Sequence, residues 1–455
     1  MIHNKVYISE VIGGRLDFQY IAYKQNLAQY KFPIVLLSEL LKTKPQYGAN
    51  EAGVSRLNNQ SPRYIRITDI NEYGVLSDGL GASAEIVDEK YILNNNDILI
   101  ARSGNTVGKA YIHKSKQVGY PCFFAGYMIR FIVDSTCVIP DYIFILTQLS
   151  FYKRWVKVTQ RITGQPNINA EEYKTLPIPL PPIKIQQQIV DIYTSAQKAK
   201  QVKEQKAQKL LDSIDNFLID ILDVKEVSVN YLQQSIFTHI RDLIGQRLDV
   251  SSYKKHFELI SSKYENKKLS AVVEITPPVK FNGLSDGTSI SFVPMECINE
   301  KYGEIKDIRE TTVSNAKGFT KFKEGDLLWA KITPCMQNGK SAIARNLING
   351  IGCGSTEFYV MRPKDNSILI DFVYLLLRHK KVLIAAQTSF GGAAGQQRVS
   401  NQYLKSVIIP HPPIEIQHKI ISEVENMKKQ AKQLELEGSF LIESAKKQIE
   451  KMILG

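Results

Sequence analysis

Cysteine is scarce in this 455-residue sequence, and the five present (Cys122, Cys137, Cys297, Cys335 and Cys353) are odd in number, scattered and never spaced Cys-x-x-Cys. Neither a disulfide framework nor a zinc knuckle fits, and a reducing cytoplasm is the expected location. No run approaches the roughly 18 apolar residues of a membrane span, so no membrane contact is expected. The opening Met1-Ile2-His3-Asn4-Lys5 lacks the apolar stretch of a secretion signal. Histidine is equally thin: His3, His113, His239, His256, His379, His411 and His418 form no His-x-x-x-His pair, and no metal site is expected.

Catalytic motifs are also missing. There is no Asn-Pro-Pro-Tyr or Asp-Pro-Pro-Tyr and no Gly-x-Gly-x-x-Gly after a strand, so an amino-methyltransferase site is not visible. Gly104-Asn105-Thr106-Val107-Gly108-Lys109-Ala110 is one residue short between its glycines for a phosphate-binding loop and ends on alanine. Asn338-Gly339-Lys340-Ser341 has Pro334 where the first glycine belongs. A Gly-Lys turn after a strand can still offer N–H groups and one cation to a DNA phosphate. Asp141 with Glu172 and Lys174 matches the acidic-pair-plus-lysine pattern of magnesium-dependent nucleases. Asp141 also reads as a helix cap, and the later counterpart, Asp371 with Tyr403-Leu404-Lys405, lacks the glutamate. No catalytic residue is assigned.

What the chain has in excess is positive charge, +13 overall, and it is localised. Residues 1–180 hold 20 Lys+Arg against 15 Asp+Glu, and residues 225–411 hold 25 against 17; segments 181–224 and 412–455 balance at 6 against 6 and 7 against 7. Two basic blocks separated by neutral segments are the electrostatic footprint of a nucleic-acid binder.

The blocks are copies of one unit. Ile12-Gly13-Gly14-Arg15-Leu16-Asp17 returns as Ile244-Gly245-Gln246-Arg247-Leu248-Asp249, and Asn96-Asp97-Ile98-Leu99-Ile100-Ala101-Arg102 as Gly325-Asp326-Leu327-Leu328-Trp329-Ala330-Lys331. Tyr73-Gly74 meets Tyr302-Gly303, Gly108-Lys109 meets Gly339-Lys340, Cys122 meets Cys353, and Gly164-Gln165 meets Gly395-Gln396. The offset stays between 228 and 232. Each block mixes short β-branched runs, such as Tyr64–Ile67, Asp97–Ile100 and Ser291–Val293, with helical patches over Asp141–Trp155 and Asp371–Ala386. Each closes on Pro-Pro, which ends one element and opens a helix.

The helices that follow carry a four-three seam. In the second it runs Ile420, Val424, Met427, Ala431, Leu434, Gly438, Leu441, Ala445 and Met452; in the first Ile189, Tyr193, Ala196, Ala207, Leu210, Ile214, Phe217 and Ile221, with Lys200 and Lys203 interrupting. At about 1.5 Å per residue each is a rod on the order of 60 Å, too long for its own block, so the two helices are expected to pack on each other. The fold class is thus α+β: two pseudo-repeated globular blocks of mixed strand and helix, 1–180 and 225–411, joined by two long antiparallel coiled-coil helices, 181–224 and 412–455.

With Leu180-Pro181-Pro182-Ile183-Lys184-Ile185-Gln186 and Ile409-Pro410-His411-Pro412-Pro413-Ile414-Glu415-Ile416-Gln417 added to these repeats, the chain resembles the specificity subunit of type I restriction–modification systems. That resemblance implies two target recognition domains, each reading half of a split, asymmetric double-stranded DNA site, and a helical spacer docking two modification (methyltransferase) subunits. Restriction (translocase/nuclease) subunits would join through these, and S-adenosylmethionine, ATP and magnesium would belong to those subunits alone. The longer turn Ile332-Thr333-Pro334-Cys335 and Gly391-Gly392-Ala393-Ala394 depart from the first copy, as different half-sites would require. Arg, Lys, Asn and Gln read base edges, and those on turns are the candidates: Arg63, Arg66, Arg102, Ser103, Asn105, Lys109, Arg161 and Asn167, then Lys331, Thr333, Gln337, Asn338, Lys340 and Arg398. A magnesium-dependent nuclease and a protein-only coiled-coil scaffold are the alternatives.

Overall fold

The computed structural model describes residues 30–160, 164–225, 258–281, 283–391 and 397–454. The chain forms two compact units, Met1–Lys203 with Glu435–Gly455, and Glu204–Leu434. The paired Arg-Leu-Asp segments near each block's start, and Arg161, lie outside the described residues.

Each unit builds two four-stranded sheets, and the first of them has the same strand order in both. In the first unit an antiparallel sheet runs Gln46–Tyr47, Met128–Phe131, Ile98–Ala101, Ala110–Ile112. In the second the order is Val273–Ile275, Phe358–Pro363, Leu327–Ala330, Ser341–Ile343. The central strand is buried on both faces, which is why it reads as an unbroken apolar run rather than an alternation. Ile98 and Ile100 face the helices and Leu99 the other sheet; Leu327 and Trp329 divide from Leu328 in the same way. The aspartate before each strand is buried and closes the turn, Asp97 accepting the Asn94 N–H and Asp326 the Lys323 N–H, both at 2.8 Å. Arginine neutralises both: Arg130 approaches Asp97 at 3.4 Å, and Arg362 holds Asp326 bidentately at 2.7 Å.

The second sheet sets Arg63–Ile65 parallel to Cys122–Phe124 in one unit and Ser289–Val293 parallel to Ile351–Gly354 in the other. The repeated cysteines Cys122 and Cys353 sit at equivalent buried positions, and burial pushes each thiol up to about 11. They are core residues.

Each expected long helical patch is two helices, Pro140–Leu146 and Ser150–Thr159, then Ile370–Arg378 and Lys380–Gln387. Asp141 is not the cap; Ile139 holds that position with Pro140 beginning the helix, and Asp141 lies in the first turn. Its carboxylate takes Lys114 at 2.7 Å, as Asp371 takes Arg345 at 2.6 Å. The two ion pairs occupy matching places, tying a strand end to a helix start.

The long helices span Ile183–Ile221 and Ile414–Ile453. Their docking explains the glutamine that follows each Pro-Pro. Gln186 is 1% exposed, accepts the Ile139 N–H at 2.8 Å and donates to the Pro181 carbonyl at 2.9 Å. Gln417, fully buried, accepts the Leu369 N–H at 2.8 Å and donates to the Ser367 and Pro412 carbonyls at 3.0 and 2.9 Å. One amide thus satisfies a helix-start donor that has no intrahelical acceptor.

Within each unit, half of one long helix lies antiparallel to half of the other: Ile189 and Tyr193 share a core with Ile442, Ile449 and Ile453 in the first, Leu218 and Leu222 with Ile420 and Val424 in the second. The seam differs from the heptad expectation in places. Leu210, Ile214, Phe217, Met427, Leu434 and Leu441 are only half-buried, whereas Leu218, Leu222, Ile442, Ile449 and Ile453 are buried. The physical reason is the period. Ile420, Ala431, Ile442 and Ile453 recur every 11 residues and are at most 1% exposed, and 11 residues in three turns stay closer to the natural helical pitch than seven in two. The lysines that break the first seam are accounted for. Lys200 lies over the Tyr73 ring at 4.4 Å, and Lys203 pairs with Glu437 at 2.6 Å. In the second unit Lys432 lies 5.0 Å over the Tyr302 ring, and that ring packs with Ala207 and Ala431. The repeated Tyr-Gly turns therefore rest each block on its helices.

Replacing Gln417 with Leu leaves the Leu369 N–H buried without its acceptor, at a cost of about 1–3 kcal/mol. Thermal melting is expected to fall by several degrees; an unchanged melting temperature would contradict the anchoring role. His113, 1% exposed beside the Tyr111 hydroxyl at 3.1 Å, has its imidazole pushed down to about 4 by burial. The unfolded chain takes up that proton near pH 6.5 and the folded one only near pH 4. This contribution is complete above pH 6.5 and lost as pH falls toward 4, on the order of 3 kcal/mol in all. His113→Asn should flatten the decline of stability over that window relative to the wild type; an identical slope would contradict it.

Candidate nucleic-acid interface

The strand Ile98–Ala101 delivers the chain into Arg102–Lys109, and that loop is stitched to a second one. The Ile168 N–H donates to the Arg102 carbonyl and the Gly104 N–H to the Pro166 carbonyl, each at 2.9 Å, and Ser103 bridges Asn167. In the second unit the Val399 N–H donates to the Lys331 carbonyl, the Thr333 N–H to the Gln397 carbonyl, each at 2.9 Å, and Ile332 bridges Arg398. The register is the same, so Asn167 and Arg398 occupy equivalent places, as do Gly104 and Thr333. Arg102, Ser103, Asn105 and Asn167 are brought together at one edge; Lys331, Thr333 and Arg398 at the matching edge of the other unit.

The side chains on this shared scaffold differ. The Arg102 guanidinium lies 4.8 Å over the Tyr47 ring, and its Nε is buried without a protein acceptor among the described residues. Asn105 is exposed, and Tyr127, whose carbonyl accepts the Arg102 N–H, is 68% exposed. The equivalent of Tyr127 is Glu357, whose carbonyl accepts the Lys331 N–H at 2.9 Å. Its carboxylate takes Arg398 through Nε and Nη2 at 2.9 and 2.7 Å, and the hydrogen bond from Arg398 holds it below its ordinary range. Lys331 lies 5.4 Å over the Tyr359 ring. Gln337 and Asn338 are exposed on the longer turn and reach Gln387 and Glu300 at 3.3 and 3.4 Å, while Met336 plugs that turn into the core. Arg66 is exposed on the first edge with its guanidinium on Asp69 at 3.1 and 3.2 Å.

Three candidates are structural. Arg63, 1% exposed, spends its guanidinium on the Ser77 and Gly79 carbonyls and the Tyr120 hydroxyl, at 2.9–3.2 Å. It is not a turn residue but the first of a buried strand, and DNA cannot reach it. Lys109 and Lys340 turn inward in the same manner, donating to the Ile67 carbonyl at 3.2 Å and the Met295 carbonyl at 3.5 Å; burial lowers the Lys109 ammonium. Gly108 precedes Lys109 because its φ is +85° and a Cβ there would lie 2.7 Å from Val156. The Gly-Lys turn is thus a closure of the loop rather than a phosphate cradle.

The acidic pair is likewise engaged. Asp141 binds Lys114, and the Glu172 carboxylate accepts the Asn169 N–H at 2.8 Å in a reciprocal helix cap, while Lys174 pairs with Glu171 at 2.6 Å. Among the described residues no group of three His, Cys, Asp or Glu is placed to hold a metal, and no helix is long and apolar enough to cross a membrane. Tyr47, Tyr127 and Glu357 were not among the sequence candidates. The repeat offset was the signal available, since Tyr127 and Glu357 fall at one position of the two copies with unlike side chains.

The family model described as "Type I restriction modification DNA specificity domain" matches residues 55–212 and 261–437, one match in each repeat. The chain is 34% identical over 212 residues to the type I restriction enzyme EcoAI specificity subunit of Escherichia coli and 31% identical over 211 residues to the EcoEI specificity subunit of the same organism. Each match takes in 45% of this chain but only 34% of the relative, so the chain spans about a third of the length of those curated relatives. Among solved structures it is similar to the type I restriction–modification S subunit from M. genitalium, with 12% identity, 94% of this chain and 97% of that one covered, and a TM-score of 0.39. With the repeat, the paired loops and both family matches in place, the chain belongs to the type I restriction–modification DNA specificity family.

Proposed function

We propose that the chain reads two different half-sites of double-stranded DNA and brings type I modification subunits, and through them restriction subunits, to that bipartite site. The observation that carries this is the duplicated loop pair: backbone hydrogen bonds in one register support Arg102, Asn105 and Asn167 in one unit and Lys331, Gln337 and Arg398 in the other. A common scaffold with different donors is what an asymmetric read requires. Arginine pairs bidentately with guanine and asparagine or glutamine with adenine in the major groove, each pairing worth about 1–3 kcal/mol of discrimination. The exposed Tyr127 adds an apolar and stacking surface, whereas the Glu357 carboxylate is an acceptor suited to a cytosine amino group. The chain itself transfers no methyl group and cuts no strand on this reading; S-adenosylmethionine, ATP and magnesium act on the associated subunits, and the complex works in the cytoplasm.

The test is a methylation-site map of cells carrying a chimaera in which residues 1–180 come from a relative. One half of the modified sequence should change and the other stay. A map in which both halves change, or neither does, would contradict the proposal. Arg102→Ala alone should relax the first half at one position, by about 1–3 kcal/mol of lost discrimination, and leave the second half untouched.

A further inference from the structure

The helix Ser150–Thr159 separates its side chains by face. Phe151, Tyr152, Trp155 and Val156 are buried, whereas Lys153, Arg154 and Lys157 are exposed. No acidic residue occurs in the sequence between Asp141 and Glu171, and Glu450 of the C-terminal helix meets this helix at its start, accepting the Ser150 N–H at 2.6 Å. The buried face touches the base-reading loop itself: the Tyr152 hydroxyl donates to the Gly108 carbonyl at 2.9 Å, and Val156 packs against Gly108. Lys153 and Lys157 each follow one of those contacts by a single position, about 100° around the helix. They are exposed and lie one turn apart on one stripe, each next in the chain to a residue that touches the loop Arg102–Lys109. Like charges at this spacing disfavour a helix unless something of opposite sign lies against them. The corresponding helix of the second unit is different. Lys380–Gln387 has cations only in its first turn, Lys380 is paired with Asp212 at 2.6 Å, and Ile384 is 62% exposed.

We propose that Lys153 and Lys157 hold the phosphate backbone beside the half-site read by the first unit, a contact the second unit does not reproduce. The inference rests on the reading of the chain as a DNA-binding subunit and adds a sequence-independent grip to one side of it. Cations that meet phosphates release condensed counterions, so they set the salt dependence of binding rather than its sequence preference.

The experiment titrates the full chain, assembled with its modification subunits, against a duplex carrying the site methylated in the native cell and against a scrambled duplex, over a range of salt. For Lys153→Gln with Lys157→Gln, the slope of log affinity against log salt should shrink by about 1.8, two phosphates at about 0.9 each. Affinity for both duplexes should fall by the same factor. Methylphosphonate linkages flanking the first half-site should reproduce the loss in the wild type, and those flanking the second should not. An unchanged slope, a changed sequence preference, or equal sensitivity at both flanks would overturn the inference. So would an equal loss from Lys429→Gln with Lys447→Gln, two exposed positions of the C-terminal helix, because it would reduce the effect to net charge. A wild type that binds both duplexes equally would instead sink the DNA-reading proposal beneath it.

Discussion

The constraint on which each unit depends is the junction between a recognition block and a long helix, and a single buried amide forms it. A proline pair cannot donate, so the chain emerging from the block needs other means to fix the direction in which the helix leaves. Gln186 and Gln417 supply it by bonding back to the Pro181 or Pro412 carbonyl and forward to the first free N–H of a helix in the block. Because both ends of that bridge are backbone groups, its hydrogen bonds hold the start of the long helix directly to the start of a helix in the block. The Tyr73 and Tyr302 rings, each beneath a lysine of the long helices, give a second point of attachment in each unit. The second point restricts the swing that a single attachment would leave.

With the block held in this way, its strand-end loops become a fixed platform. Backbone bonds between the two loops of each pair do the positioning, which leaves the side chains free to vary. The variation is large. Where the first unit has a tyrosine at 127 and an asparagine at 167, the second has a bidentate Glu357–Arg398 pair. Opposite the repeated cysteine the first unit carries a buried arginine, Arg63, and the second Phe292. Duplication followed by divergence of the side chains leaves two like backbone frames that present different groups.

Much of this was legible in the sequence because the duplication checks itself: Asp-Ile-Leu-Ile-Ala returning as Asp-Leu-Leu-Trp-Ala, and two copies of Pro-Pro-Ile-x-Ile-Gln, cannot both be accidents. The long helices were legible for the same reason that their seam was slightly misplaced. A heptad template predicts Phe217 and Leu441 where an 11-residue repeat buries Leu218 and Ile442. Site residues were harder. Arg63 looks like any basic residue near a turn until Ser77, Gly79 and Tyr120, 14 to 57 positions away, fold over it. Lys109 finds its carbonyl acceptor 42 residues upstream. A side chain's accessibility depends on such non-local closures, and a motif carries no record of them.

The central claim is that the two stitched loop pairs are the surfaces that meet DNA. Amide hydrogen exchange of the complete complex, with and without the duplex methylated in the native cell, addresses it directly. Exchange is expected to slow on duplex binding at 102–109 and 164–169 in one unit and at 331–340 and 397–399 in the other, and to stay unchanged along the exposed faces of the long helices. Slowing confined to those helices, or to only one unit's loops, would contradict it.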